Sequence, residues 1–339
     1  MININKKLLI GFIGFIFLSG CMEPKTELLW DVETYTVIET NGFCRFVDIH
    51  NDTAFVAAGQ AGVQIWDLNS VTKIIGLDQY SASQDLSDIA QIEYAPTIKK
   101  IFALENNSRV VIMDLIHGDS LAVLGEEMSE KTREIRILEG SDSYIILAAD
   151  NDDGLKWNKF DFFADWGIWS NVAGTELSTP GKPMGLDYLN GNIALAVDQQ
   201  GIELWTLDSL GADPVFVNRL DTPGNAEKVT LTETGVFVAC DDAGARYIPL
   251  DILYLPVQDN LYIEKQFAED LTVDHIAVSG DKAVLSVGGK GIALYDISNP
   301  GSPEPRGIFD VGYTYYSTFW EEKLVVCTRE GLVVLNIIQ

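Results

Sequence analysis

Phe55-Val-Ala-Ala-Gly59-Gln-Ala-Gly62-Val-Gln-Ile-Trp66-Asp67 reads as a strand, a tight glycine-closed turn, and a second strand ending in a carboxylate. The same sentence returns as Ala283-Val-Leu-Ser-Val-Gly-Gly-Lys290-Gly291-Ile-Ala-Leu-Tyr295-Asp296. Weaker copies stand between them at Ile193–Trp205 and Val236–Tyr247. Taking the residue before the second strand of each copy as a landmark gives Gly62, Arg109, Gly154, Gly201, Gly244, Gly291 and Gly331. The intervals between these positions are 47, 45, 47, 43, 47 and 40 residues. A tight hairpin needs a backbone at positive φ, which glycine adopts without a Cβ clash. Arg109 breaks the pattern after Glu105-Asn-Asn-Ser108, where an asparagine can supply the unusual φ.

A period near 45 residues, filled with Val, Ile, Tyr and Trp and broken by Gly and Asn-Pro, Asp-Pro or Thr-Pro steps, excludes helical repeats. It predicts four-stranded propeller blades. The first unit divides into Cys44–His50, Thr53–Ala58, Val63–Leu68 and Lys73–Leu77. The sixth divides into Val273–Ser279, Lys282–Val287, Ile292–Ile297 and Gly307–Asp310. The last unit holds only Tyr315–Trp320, Lys323–Cys327 and Leu332–Ile337, while Leu28–Glu39 is a strand with no neighbour in sequence. That strand is the missing fourth. The fold class is therefore all-β: one seven-bladed β-propeller over residues 28–339, closed by an N-terminal strand that removes an exposed sheet edge.

Gly291-Ile-Ala-Leu-Tyr-Asp-Ile-Ser-Asn-Pro300 resembles the LVIVD repeat of bacterial surface and secreted propellers, and Gly62-Val-Gln-Ile-Trp-Asp-Leu-Asn69 is a second match. The other units match in hydrophobic spacing, and the third carries extra residues before its carboxylate, Asp161. The resemblance implies an envelope propeller and brings no catalytic residues with it.

The first residues carry an address. Lys6-Lys7 precede an apolar run, Leu8 to Leu18, that is too short to span a membrane as a helix. Leu18-Ser-Gly-Cys21 resembles a bacterial lipobox. The resemblance implies a signal peptide over 1–20, lipidation at Cys21 and a short tether over 21–27, with acyl chains holding the chain to a membrane. An ordinary cleaved signal peptide with an incidental cysteine is the alternative. Met22, where an aspartate would favour inner-membrane retention, points to the outer membrane. Lys and Arg number 23 against 50 Asp and Glu, a net charge of -27, and no basic cluster exceeds two residues. Such a chain repels phosphate backbones, so nucleic acid is not an expected partner. Cys44, Cys240 and Cys327 remain after Cys21; the last two lie in apolar strand patterns and read as buried thiols.

Chemistry-bearing residues are few. Asp150-Asn-Asp152-Asp153-Gly154 resembles the start of a Ca²⁺ loop, because hard cations take several oxygen ligands. It is equally the hairpin turn of the third blade, without the distal glutamate of such loops. The same face is expected to carry Asp198, Asp241, Asp242 and Glu330, with Lys290 and Arg329 as its cations. His50, His117 and His275 have no ligand spacing, and no Gly-x-Ser-x-Gly elbow, phosphate-binding loop or Cys-x-x-Cys pair occurs. The run from Lys156 to Trp169 packs six aromatic residues into fourteen positions. Trp157, Phe162, Phe163, Trp166 and Trp169 form either a platform for a protein or glycan, or the core of the third blade. Tyr313 and Tyr315 lead into an innermost strand at the channel mouth. The sequence thus predicts a lipid-anchored, monomeric, non-catalytic binding module with no required cofactor. A hydrolase or oxidoreductase with a channel-mouth site, metal-assisted or not, is the rival; a quinone-dependent propeller lacks its tryptophan-docking repeat here.

Overall fold

The computed structural model describes residues 29–77, 86, 88–106, 109–116, 120–127, 131–255 and 265–339. Cys21, the segment before it and His117 lie outside these residues. Strand β1 (Asp31–Glu39) pairs antiparallel with β28 (Gly331–Ile338), the last strand of the chain, from Asp31 opposite Ile338 to Glu39 opposite Gly331. The seam that closes the ring is therefore a pairing of the two ends of the chain.

Six further four-stranded antiparallel sheets complete the ring: β2–β5 (46–77), β6–β9 (89–127), β10–β13 (132–177), β14–β17 (185–220), β18–β21 (228–267) and β22–β25 (275–309). With β26–β28 (314–338) and β1 they make seven blades. The innermost strands β2, β6, β10, β14, β18, β22 and β26 each pack against the next, and β26 returns to β2. Hydrophobic packing follows the same ring, with one core cluster between every adjacent pair of blades. Trp30, just before the closing strand, fills the cluster between blades 6 and 7. Burying such faces against neighbours is what a lone blade cannot do, so the ring folds as a unit.

Innermost strands are also sheet edges, and their free amides must find partners inside the protein. Two tiers of bonds supply them. In the first, a left-handed turn residue offers its carbonyl to the next blade. Gly59, Asp198, Asp241 and Gly288 accept from the amides of Ile89, Ala226, Val273 and Thr314 at 3.0, 2.9, 3.0 and 3.0 Å. All four accepting residues have φ between 41° and 56°, a conformation asparagine and aspartate share with glycine. In the second tier, side chains reach across: Asp48 accepts from the Tyr94 amide (2.7 Å), Glu93 from Ile137 (2.8 Å), Glu134 from Leu186 (3.1 Å) and Asp187 from Leu231 (2.8 Å).

The landmark glycines have a second cause besides φ. At Gly291 (φ 86°) an added Cβ would lie 2.2 Å from the Phe309 carbonyl oxygen, and at Gly201 the Leu220 oxygen stands equally near. The end of the fourth strand leaves no room there. The fourth strand of blade 6 differs from its expected bounds: β25 runs Glu304–Phe309, not 307–310. Pro305 fits because β25 is the outer edge, where a missing amide costs no ladder bond. Blade 5 also holds a one-turn helix, α1 (Leu250–Leu253), whose Leu253 fills the cluster between blades 4 and 5. The sequence pattern did not announce it.

Candidate functional site

The axis of the ring is filled by charge. One position of the innermost strand recurs blade by blade as Asp48, Glu93, Arg136, Asp187, Thr230, Ala277 and Thr318. Arg136 is the hub: its guanidinium donates to Glu93 (2.9 Å) and Asp187 (3.1 Å) and pairs with Glu134 at 3.3 Å. Lys228 crosses from blade 5 to Glu134 at 2.9 Å. Gly185, between them, makes the crossing feasible, since a Cβ there would stand 2.8 Å from the same carboxylate oxygen.

Burial dominates the titration of this network. It pushes Glu93 up to about 8, with Arg136 pulling down and Asp48 adding a smaller push. Asp48 and Asp187 are raised by burial too, each partly offset by backbone amides and Arg136. Burial opposes the charge of Arg136, but Glu134, Glu93 and Asp187 outweigh it and hold the guanidinium ionised. His275 is held neutral by burial, then by Lys228 and Arg136. Its ring lies on Tyr316 (centroids 4.1 Å apart), and its Nδ1 has no hydrogen-bond partner among the described residues. Ala277 and Thr318 are short, which leaves a cavity of about 300 Å³ on the side of blades 5 to 7, bordered by Arg136, Asp187, Thr230, His275 and Tyr316. The carboxylates of the axis are engaged in holding blades together.

The Asp150 cluster divides. Asp150 is buried and accepts from the amides of Asp152 (3.0 Å) and Asp153 (3.2 Å) and from Thr132. Asp152 pairs with Lys131, and Asp153 with Lys156 at 3.2 Å. Each carboxylate expected to meet a cation has its own donor in the protein. Among the described residues, no three His, Cys, Asp or Glu side chains converge as metal ligands. A separate acidic group faces the mouth on blades 4 to 6. Burial, then Asp241 and Glu227, push Asp274 up to about 6, and Glu227 is raised by burial beside Asp241 and Asp198.

Aromatic residues form two exposed groups. Strands β12 (Gly154–Phe163) and β13 (Ile168–Leu177) run ten residues each, against five or six for the corresponding strands of blades 1, 4 and 6. Beyond Asp142 the pair continues past the neighbouring strand β11 (Ser143–Asp150) as an arm, turned by Gly167 at φ 65°. Phe163 lies against Trp166 and Phe162 against Trp169 at the tip, with Trp166 73% and Ile168 50% exposed. Trp169 reaches inward to Tyr144 (5.1 Å). Beside the arm a groove of about 620 Å³ runs to Ile112 and the Lys100–Asp114 pair of blade 2. Trp157 does not belong to this surface: it is 2% exposed and packs with Leu147 and Leu186 between blades 3 and 4. Ile168 and Val172, exposed on the arm, were not singled out by the sequence pattern.

The second group centres on Arg329, whose guanidinium lies 4.0 Å over Tyr313 and donates to the Tyr315 hydroxyl at 3.3 Å. Half-exposed Phe43 approaches the same Arg329 from blade 1, so the cluster bridges the closing seam. Phe43 was also missed, because its partners come from the other end of the chain.

No family model and no curated relative matches this chain. Solved structures do. The WD40 repeats of RRP9 superpose with a TM-score of 0.67 at 12% identity, covering 91% of this chain and 97% of that one. U3-55K gives 0.67 at 11%, over 90% and 98%. The β-propeller domain of Myceliophteria thermophila Cps50 (Swd1) gives 0.65 at 13%, over 90% and 99%. The chain is a seven-bladed β-propeller. At these identities the likeness carries the fold alone.

Proposed function

We propose that this chain is a lipid-anchored envelope scaffold that binds a protein partner through the aromatic arm of blade 3 and catalyses no reaction. The observation that carries the reading is the arm itself: Phe162, Phe163, Trp166 and Ile168 clustered and exposed on strands longer than the fold requires. Exposed aromatic clusters beside a groove are characteristic of binding surfaces, because large rigid rings bury area at little entropic cost. The axis supports the non-catalytic part, since its carboxylates hold strand amides and Arg136, and His275 is neutral and covered by Tyr316. The WD40 architecture of the solved likenesses is compatible with a scaffold role.

The address completes the reading. Lipidated Cys21 would tether the chain to the outer membrane ahead of β1, which belongs to blade 7. Blade 3 is three blades away, as far as a ring of seven allows, so β1 and the arm lie on opposite sides of the disc. With a net charge of -27, the fitting partner presents an apolar patch rimmed by basic residues.

Quantitative affinity capture tests this with three proteins: wild type, Trp166→Ala/Ile168→Ser, and Ile308→Ser. Ile308 is comparably exposed (53%) but lies on blade 6. A defined set of proteins should fall at least tenfold in the arm variant and persist in the blade 6 variant. An unchanged set would overturn the assignment of the arm.

A further inference from the structure

We propose that Cys44 and Cys327 are joined by a disulfide that locks the closing seam of the ring. Cys44 leads into β2 of blade 1, and Cys327 lies in β27 (Lys323–Thr328) of blade 7. The Cys44 amide donates to the Thr328 carbonyl at 3.0 Å, which fixes the two backbones side by side. Both residues are fully buried in one apolar cluster with Ile38, Val47 and Val325, and their thiols interact directly. Disulfides need neighbouring backbones, and the Cys44–Thr328 bond and the shared cluster bring the two strands side by side. Cys240 sits elsewhere, in the cluster between blades 4 and 5, with its thiol toward the Val238 carbonyl at 3.8 Å.

The bond would close a covalent loop around six blades and the two inner strands of the seventh, so blade 7 could no longer part from blade 1 when β1 frays. Burial, then the neighbouring Cys44, raises the Cys327 thiol and keeps it protonated, so the folded pair is unreactive. The bond therefore forms while the seam is still open. One thiolate attacks the disulfide of an extracytoplasmic dithiol oxidant and releases the first oxidant thiol. The second thiolate then attacks the protein sulfur of that mixed disulfide and releases the other oxidant thiol. Two electrons pass to the oxidant, and the two cysteine protons end on its two released thiols. The source of oxidant rests on the envelope address proposed above; the pairing of the thiols does not.

The test has two arms. The full chain is isolated from cells quenched with iodoacetamide and digested with trypsin without reduction. In parallel, the full chain is unfolded, reduced and refolded in detergent with reduced and oxidised glutathione before the same treatment. Both digests should contain residues 26–45 linked to residues 324–329, separating on reduction. Dithiothreitol should lower the Tm of the isolated protein by roughly 4–8 °C and leave Cys44→Ser/Cys327→Ser unmoved. Recovery of both peptides alkylated after refolding overturns the proposal. Alkylated peptides from cells alone, with the cross-link formed on refolding, overturn the envelope address instead.

Discussion

Arg136→Met removes the one charge that three buried carboxylates share. The guanidinium lies 2.9, 3.1 and 3.3 Å from Glu93, Asp187 and Glu134, and methionine fills much of its volume while returning none of its donors. Deleting one partner of a buried ion pair costs about 3–5 kcal/mol, because the other charge is left uncompensated. At roughly 2 °C per kcal/mol for a domain this large, Tm falls by about 6–10 °C. The deficit also carries a pH signature. Glu93 has its folded pKa raised from 4.5 to about 8, so the native state holds a proton that the unfolded chain releases. Stability from that proton is complete below about 4.5 and is lost as pH rises through 8. Without Arg136, Glu93 and Asp187 lose the charge that holds them down and shift further up. The variant's deficit is then largest at pH 9 and shrinks toward pH 5, where protonation neutralises the orphaned carboxylates. Thermal unfolding followed by circular dichroism at pH 5, 7 and 9 measures it, and Arg136→Met/Glu93→Gln should recover part of the loss at pH 9. A deficit below about 1 kcal/mol, or one equal at all three pH values, would refute a charged hub on the axis.

Other perturbations separate the remaining elements. Gly291→Ala, facing a carbonyl oxygen at 2.2 Å, should cost at least about 2 kcal/mol, whereas Gly280→Ala, at φ 58° with open space around it, should cost only about 1 kcal/mol in urea unfolding. Asp274 titrates near 6 in the folded state, above its ordinary value, so its protonated form adds stability below that pH which is lost above it. Asp274→Asn should therefore raise Tm at pH 8 and leave it nearly unchanged at pH 4. Cys21→Ala should release the chain from membranes into the soluble fraction on cell fractionation; full retention would remove the lipid anchor from the reading.

Most of the architecture was legible because a propeller writes itself once per blade. The strands of blade 1, expected at 44–50, 53–58, 63–68 and 73–77, stand at 46–50, 53–57, 63–67 and 72–77. Leu28–Glu39 found its partner because the last unit was one strand short. The fourth strand of blade 6 was expected only from Gly307, and it begins at Glu304 with Pro305 inside it, because that strand is the outer edge of its sheet. The axis was hidden for a different reason. Glu134-Ile-Arg136-Ile alternates like any half-exposed strand, and only the ring brings Asp48, Glu93, Arg136 and Asp187 to one place. The aromatic run posed a question of position along a hairpin: Trp157 lies within the disc and is buried, Trp166 at the turn is exposed, and composition alone treats them alike. Asp150 looked like a cation ligand because the acceptor of a tight turn and the first ligand of a cation loop are the same residue type.

The arm of blade 3 is the central claim, and one measurement addresses it directly. A photoreactive phenylalanine analogue is placed at Trp166 and, separately, at Ile308, and intact cells are irradiated. The account predicts one discrete protein adduct from position 166 and none from position 308. Equal adducts from both positions, or none from 166, would contradict it.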